Sequence, residues 1–251
     1  MFIDSIEKKD SLTAAALCAE DQYLLTLPAV AHLHRLALRR QVTFFVGENG
    51  TGKSTLLEAV AACYGLNPEG GSRNFNFTTR SSHSGLFRHL RLAKGPKRPQ
   101  DSFFLRAESL YNVATEIERL DQAGTSSLLP SYGGRSLHEQ SHGESFLSLV
   151  LHRFWGCGLY LLDEPEAALS PSRQLTLLSK IGQLVADGSQ FIIATHSPIL
   201  MAYPGAEILV FDESGIRPTP YRETTHYQVS KMFLDNPERM LRELLDNPAQ
   251  P

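Results

Sequence analysis

The clearest hydrophobic pattern begins at Gln41-Val-Thr-Phe-Phe-Val46, a short β-branched and aromatic run that stops at Gly47. After a polar, glycine-rich interruption, Ser54-Thr-Leu-Leu-Glu-Ala-Val-Ala-Ala-Cys-Tyr64 carries helix-forming residues and is closed by Gly65. This order predicts a strand, a tight loop and a helix. Ser102-Phe-Phe-Leu-Arg-Ala107 predicts a further strand, followed by a helix from Ser109 to Leu120 with Leu110, Val113, Ile117 and Leu120 on its apolar side. Phe146 to Trp155 is apolar on most sides, which predicts a buried helix. Leu159-Tyr-Leu-Leu162 reads as a strand ending in Asp163 and Glu164. Ser170 and Pro171 then open a helix carrying Leu175, Leu178, Ile181 and Leu184, which Gly188 closes. The strand Phe191 to Thr195 delivers His196. Glu207 to Phe211 and Ile216 to Tyr221 predict a hairpin, and a polar helix around Glu238 to Leu245 follows. Strands alternating with helices predict an α/β fold whose mostly parallel sheet is covered on both faces.

One segment breaks the pattern. From Asn67 to Asp101 the composition shifts to Gly, Ser, Asn, Arg and Pro, and Arg88, Arg91, Lys94, Lys97 and Arg98 make it basic, so it reads as a peripheral insertion. The whole chain has 251 residues, 42% apolar and 20% charged, which is enough for a packed core and excludes disorder as the main theme. Its net charge of −3 gives no overall electrostatic footprint for nucleic acid and leaves only local basic patches. The three cysteines, Cys18, Cys63 and Cys157, match neither a metal pattern nor an even disulfide set and read as free thiols. With no apolar run of membrane-spanning length and charged residues through Met1 to Asp10, a cytoplasmic protein is expected.

The interruption after Val46 carries chemistry. Gly47-Glu-Asn49-Gly50-Thr51-Gly52-Lys53-Ser54-Thr55 fits G-x-x-x-x-G-K-[ST] between a predicted strand and a predicted helix. Glycines let backbone N–H groups turn around phosphate oxygens, and the following helix N-terminus adds its dipole. In such a loop Lys53 reaches the β- and γ-phosphates and Ser54 ligates Mg²⁺. Asp163 and Glu164 at the end of a buried strand are the second half of the pattern: Asp163 holds the Mg²⁺ shell and Glu164 acts as general base on water. A strand ending in two acids is common alone, so its weight comes from the phosphate loop.

Three further stretches make the chain resemble the ABC-type ATPases, the class of transporter motor domains and of SMC, Rad50 and RecF heads. Asp163-Glu-Pro-Glu166 followed by Ala167-Ala-Leu-Ser170 is similar to that family's D-E-P and D-loop. Thr195-His196-Ser197 is similar to its switch histidine, and Gln140-Ser141-His-Gly143-Glu144 stands at the place of its L-S-G-G-Q signature, keeping the Ser and one Gly. Glu108 reads either as standing where the family has a Q-loop glutamine or as a surface Glu opening a helix, and Tyr23 either as a core tyrosine or as the family's adenine-stacking aromatic. The resemblance runs from about Val42 to Tyr221 and is closest to small stand-alone bacterial ABC-like ATPases.

What the resemblance implies is a P-loop NTPase fold of ABC type with a small helical subdomain and a β-hairpin edge. It implies a core lobe of about 1–66 and 156–222, a helical or insertion subdomain of about 67–155, and a helical tail over 223–251. It further implies Mg²⁺ and ATP at Lys53, hydrolysis assisted by Glu164 and His196, and an ATP-dependent homodimer in which Ser141 and Gly143 face the partner's γ-phosphate. The expected role is a switch in DNA maintenance or defence, with DNA or a nuclease as partner; the alternative is a transporter motor beside a membrane permease.

Overall fold

The computed structural model describes residues 1–13, 17–72, 84–123 and 129–246. Among these, the strands are β1 (Ile3–Lys8), β2 (Arg35–Ala37), β3 (Val42–Gly47), β4 (Leu90–Lys94), β5 (Asp101–Arg106), β6 (Gly158–Asp163), β7 (Gln190–Ala194), β8 (Glu207–Asp212) and β9 (Gly215–Pro218). The helices are α1 (Pro28–Ala31), α2 (Lys53–Tyr64), α3 (Leu110–Ala123), α4 (His142–Arg153), α5 (Pro171–Ala186), α6 (Pro198–Met201), α7 (Thr225–Asp235) and α8 (Pro237–Asp246).

Six strands form the main sheet in the order β5-β6-β7-β3-β8-β9. All its pairings are parallel except the β8–β9 hairpin at one edge. The central strands read as near-continuous apolar runs because both faces are buried. Alternate side chains then serve two cores: Phe44, Tyr160, Leu162 and Ile193 pack with α3, α4 and α5 on one face. Phe45, Leu159, Leu161 and Ile192 pack with α2 on the other. The predicted α/β fold, its parallel sheet and its hairpin edge are therefore present.

A second sheet, antiparallel with the order β2-β1-β4, covers the α2 side. It corrects the reading of 67–101 as peripheral. Leu90–Lys94 pairs with β1 in register Glu7↔Arg91, and Gly71 exchanges backbone hydrogen bonds with Phe104 of the main sheet. Ile6 and Leu90 turn inward, while Glu7 and Arg91 face each other on the outer side as an ion pair. Residues 73–83 of that stretch, 124–128 of the loop after α3 and 247–251 of the tail lie outside the described residues. β5 also pairs with β6, so the main sheet draws on residues within the 67–155 span.

Two smaller expectations change. The helix expected over 146–155 starts earlier and stops at Arg153, and Trp155 beyond its end is 60% exposed. Tyr23 is 47% exposed, which removes the core-tyrosine reading. No helix among the described residues is long and apolar enough to cross a membrane.

Candidate active site

The phosphate-loop residues lie at the carboxyl end of β3. Gly47 sits at φ 152°, and a Cβ there would meet the carbonyl oxygen of Phe211 at 2.3 Å, so β8 permits no side chain at that turn. The loop then passes Asn49 and Gly50 at an exposed tip and enters α2 at Lys53. The N-cap of α2 is Gly52, which has no side chain to cap it, so the first N–H groups and dipole of α2 face the loop. Lys53 is 4% exposed, and its Nζ donates to the carbonyls of Gly47 at 2.7 Å and Glu48 at 2.9 Å. Burial pulls its ammonium below the usual lysine range, opposed by the carboxylates of Glu164, Asp163, Glu48 and Glu166.

β6 lies two strands from β3 with β7 between them, and its last residue is Asp163. The side chain of Ser54 donates to Asp163 Oδ1 at 2.9 Å, joining the two predicted motifs across 109 residues of sequence. Burial pushes the Asp163 carboxyl up to about 6, despite Arg106 and Ser54, which both favour its ionised form. Arg106, at the end of β5, stands opposite Asp163 in the β5–β6 register. Its Nε lies 3.4 Å from Asp163 Oδ2 with no hydrogen-bond partner among the described residues, while its other nitrogens pair with Glu58 at 2.9 Å and with Glu108. Glu108 thus has a partner at the site edge and joins Ser54, Arg106, His142, Asp163 and Glu164 around a hollow of about 220 Å³.

Glu164 takes the left-handed conformation, φ 48° and ψ 51°, which costs a non-glycine residue about 1–2 kcal/mol. Its N–H donates to Ala194 at the end of β7, and Pro165 and Ala167 continue into a short turn. The distortion turns a half-exposed carboxylate to the site, with Oε1 3.8 Å from Nε2 of His196. Glu166 performs a task the motif did not announce: Oε2 accepts from the Thr195 hydroxyl at 2.8 Å and Oε1 from the His196 N–H. It fixes the backbone that carries His196. The ring itself meets a second histidine, with His196 Nδ1 3.1 Å from His226 Nε2 on α7. Burial lowers the pKa of both rings from the usual histidine value.

Ser141 caps α4 in a reciprocal capping box with Glu144, which also meets Arg173 at 3.2 Å. The Ser141 hydroxyl donates to Glu144 Oε2 at 2.7 Å. Ser141 and His142 are exposed, whereas Gly143 is buried: a Cβ there would lie 2.5 Å from the Ala168 carbonyl and 2.6 Å from Arg173 Nη1. Packing against the turn after Glu164 is thus reason enough for that glycine within one chain. His142 reaches the hollow of its own chain.

The structure brings Lys53, Ser54, Asp163, Glu164 and His196 to one end of the main sheet. Arg106, Glu166 and His226 belong there too. None of the three carried a signal in the sequence: the β5–β6 register places Arg106 against Asp163, and the other two depend on the tertiary fold as well.

Comparison with known proteins agrees. A family profile described as "AAA domain" matches residues 30–120, and one described as "AAA domain, putative AbiEii toxin, Type IV TA system" matches residues 130–202. The chain is 25% identical over 235 residues to an uncharacterized ABC transporter ATP-binding protein of Haemophilus influenzae, covering 87% of this chain and 88% of that one. It is 29% identical over 218 residues to the hemin import ATP-binding protein HmuV of Pseudomonas entomophila, covering 79% and 84%. Among solved structures it is similar to cbiO1 from Clostridium perfringens, part of the ABC transporter complex cbiONQ, with a TM-score of 0.49, 17% identity and coverage of 98% and 99%. Phosphate loop, acidic strand end and matched families lead to one assignment: the chain belongs to the AAA/ABC-type P-loop ATPase domains, which are ATP hydrolases.

Proposed function

We propose that this ATPase binds Mg²⁺-ATP between the loop Gly47 to Thr55 and the ends of β6 and β7, and that Glu164 and His196 assist hydrolysis. The contact between Ser54 and Asp163 beside the buried Lys53 carries the reading, because it pairs a hydroxyl and a carboxylate where a magnesium–phosphate unit needs both. Lys53 and the α2 N-terminus hold the phosphates, Ser54 and Asp163 hold Mg²⁺, Glu164 takes the proton of the attacking water, and His196 Nε2 donates to the γ-phosphate. When bound, Mg²⁺ supplies charge stabilisation to the phosphate oxygens. His196 Nε2 is buried and has no hydrogen-bond partner among the described residues, as suits a donor kept for a ligand.

A pH dependence follows. Mg²⁺ needs Asp163 ionised, and with its carboxyl near 6 the folded protein holds that proton at mildly acidic pH. Mg²⁺-dependent nucleotide affinity should therefore be flat above about pH 7 and fall towards tenfold per pH unit below about 6, as one proton is displaced per ion. Calorimetric titration with Mg²⁺ and a non-hydrolysable ATP analogue from pH 5 to 8 reads this directly. A flat response throughout would remove Asp163 from the metal shell.

The assembly reading is that a second copy completes each site through the exposed start of α4, where Ser141 exchanges Glu144 for the partner's γ-phosphate. Turnover per chain should then rise with protein concentration. A constant rate from nanomolar to micromolar protein would refute it and leave a monomeric ATPase with His142 serving its own hollow.

For the partner, the names of the curated relatives support a membrane permease over DNA or a nuclease. The DNA reading rested on the basic segment. Arg91 is paired with Glu7 at 2.6 Å, Lys94 lies over the Tyr64 ring at 4.8 Å, and Arg88 lies over Phe87 at 5.5 Å, so much of that charge is engaged in local packing.

A further inference from the structure

A neutral histidine donates from Nε2 in only one of its two tautomers. A neutral imidazole carries one N–H, and the partner of one ring nitrogen decides which nitrogen holds it. In this chain the partner of His196 Nδ1 is Nε2 of His226, from an element outside the motifs, at 3.1 Å. We propose that His226 is a positioning residue: its Nε2–H donates to His196 Nδ1 and holds His196 as the tautomer whose Nε2–H points into the active site.

Three observations give the hydrogen bond this direction and rigidity. First, His196 Nε2 faces Glu164 Oε1 at 3.8 Å. A lone pair there would oppose the carboxylate, whereas an N–H is attracted to it, so Nδ1 is left to accept. Second, two protonated rings would repel across this contact, and the pKa values of both are lowered, chiefly by burial. The charged groups that bear on the pair are Lys53, Glu164 and Glu48, with Lys53 opposing protonation of both rings and Glu48 favouring it. Third, the start of α7 is tied to the segment that follows His196. Thr224 is 1% exposed, donates its hydroxyl to Tyr221 O at 2.8 Å and accepts from Tyr227 N–H at 3.3 Å, capping α7. The Tyr221 hydroxyl donates to Pro198 O at 3.0 Å. His226, in the first turn of α7, is thereby held against the strand end that presents His196, and Glu166 holds that strand end from the other side. An outer partner that fixes ring orientation and tautomer is the device that metal-binding histidines use, where its loss costs about 10–100-fold.

The proposal rests on the role given above to His196, and the test separates the two. Nitrogen NMR of ¹⁵N-histidine-labelled protein without nucleotide at pH 8, with His196 assigned by its absence in His196→Ala, should show a protonated Nε2 and an accepting Nδ1. His226→Phe keeps a ring and removes the donor; it should yield a mixture of His196 tautomers and lower kcat about tenfold with KM within about twofold. His226→Gln, whose amide donates, should restore the single tautomer and most of kcat. A protonated Nδ1 in the parent protein overturns the proposal. So does an equal loss of kcat in the Phe and Gln variants with the tautomer unchanged, which marks a structural role. If His196→Ala itself leaves turnover unchanged, the catalytic role of His196 falls and takes the kinetic half of the proposal with it, while the spectrum still decides the hydrogen bond.

Discussion

Lys53→Ala is expected to weaken Mg²⁺-ATP binding by about a hundredfold or more while the fold stays in place. The ammonium is nearly buried beneath the loop and, among the described residues, meets the carbonyls of Gly47 and Glu48 at hydrogen-bond distance. Two charge-assisted hydrogen bonds to phosphate oxygens are together worth about 3 kcal/mol or more, which is on the order of a hundredfold in affinity. Folding should suffer little, because burial already disfavours the charged lysine and Ala at the start of a helix is well tolerated. Thermal melting reads both halves at once. Without nucleotide the two proteins should melt within a few degrees of each other. With Mg²⁺-ATP at about 100 times the parent Kd, the parent gains about 2.7 kcal/mol and the variant about 0.4 kcal/mol or less. An equal gain in both proteins would remove the loop lysine from the site.

That residue was legible from sequence because its chemistry is local. The phosphate-loop pattern needs eight consecutive residues between a strand and a helix, and all of these are written side by side from Gly47 to Ser54. The main sheet was legible for a related reason, since strands buried on both faces announce themselves as apolar runs, as Phe44 and Phe45 or Leu161 and Leu162 do. The three-stranded sheet gave no such signal. β1 and β4 interrupt their few Ile and Leu with Asp4, Ser5, Glu7, Lys8, Arg91 and Lys94, and Glu7 and Arg91 are opposite partners 84 residues apart. The same distinction runs through the active site. Ser54, Asp163 and Glu164 stand in motifs, whereas Arg106 depends on the β5–β6 register, Glu166 on a contact across 30 residues to the His196 N–H, and His226 on how α7 folds back. Long-range pairing decides those positions, and spacing along the chain holds no trace of it.

The second large effect concerns Glu164. Glu164→Gln should bind Mg²⁺-ATP at least as tightly as the parent and turn it over at least about a hundredfold more slowly, the usual scale of a general-base contribution. The two side chains have the same shape, so the left-handed turn at φ 48° and the hydrogen bond of its N–H to Ala194 persist, and any loss is chemical. The amide cannot accept the proton of the attacking water. It also removes a negative charge near the expected γ-phosphate, where Lys53 already feels the Glu164 carboxylate, and this favours the bound state. His196 Nε2, 3.8 Å from the Glu164 carboxylate, then faces an amide oxygen or nitrogen and still serves as a donor. The consequence is a protein arrested with ATP bound. If Ser141 acts on a second copy's nucleotide, that arrested protein should accumulate as a dimer with Mg²⁺-ATP and return to monomer with ADP, as light scattering reads. Single-turnover kinetics separates the chemical step from product release. A Glu164→Gln protein that hydrolyses bound ATP at the parent rate would transfer the general-base role away from β6, and Glu108, across the same hollow, becomes the carboxylate to replace next.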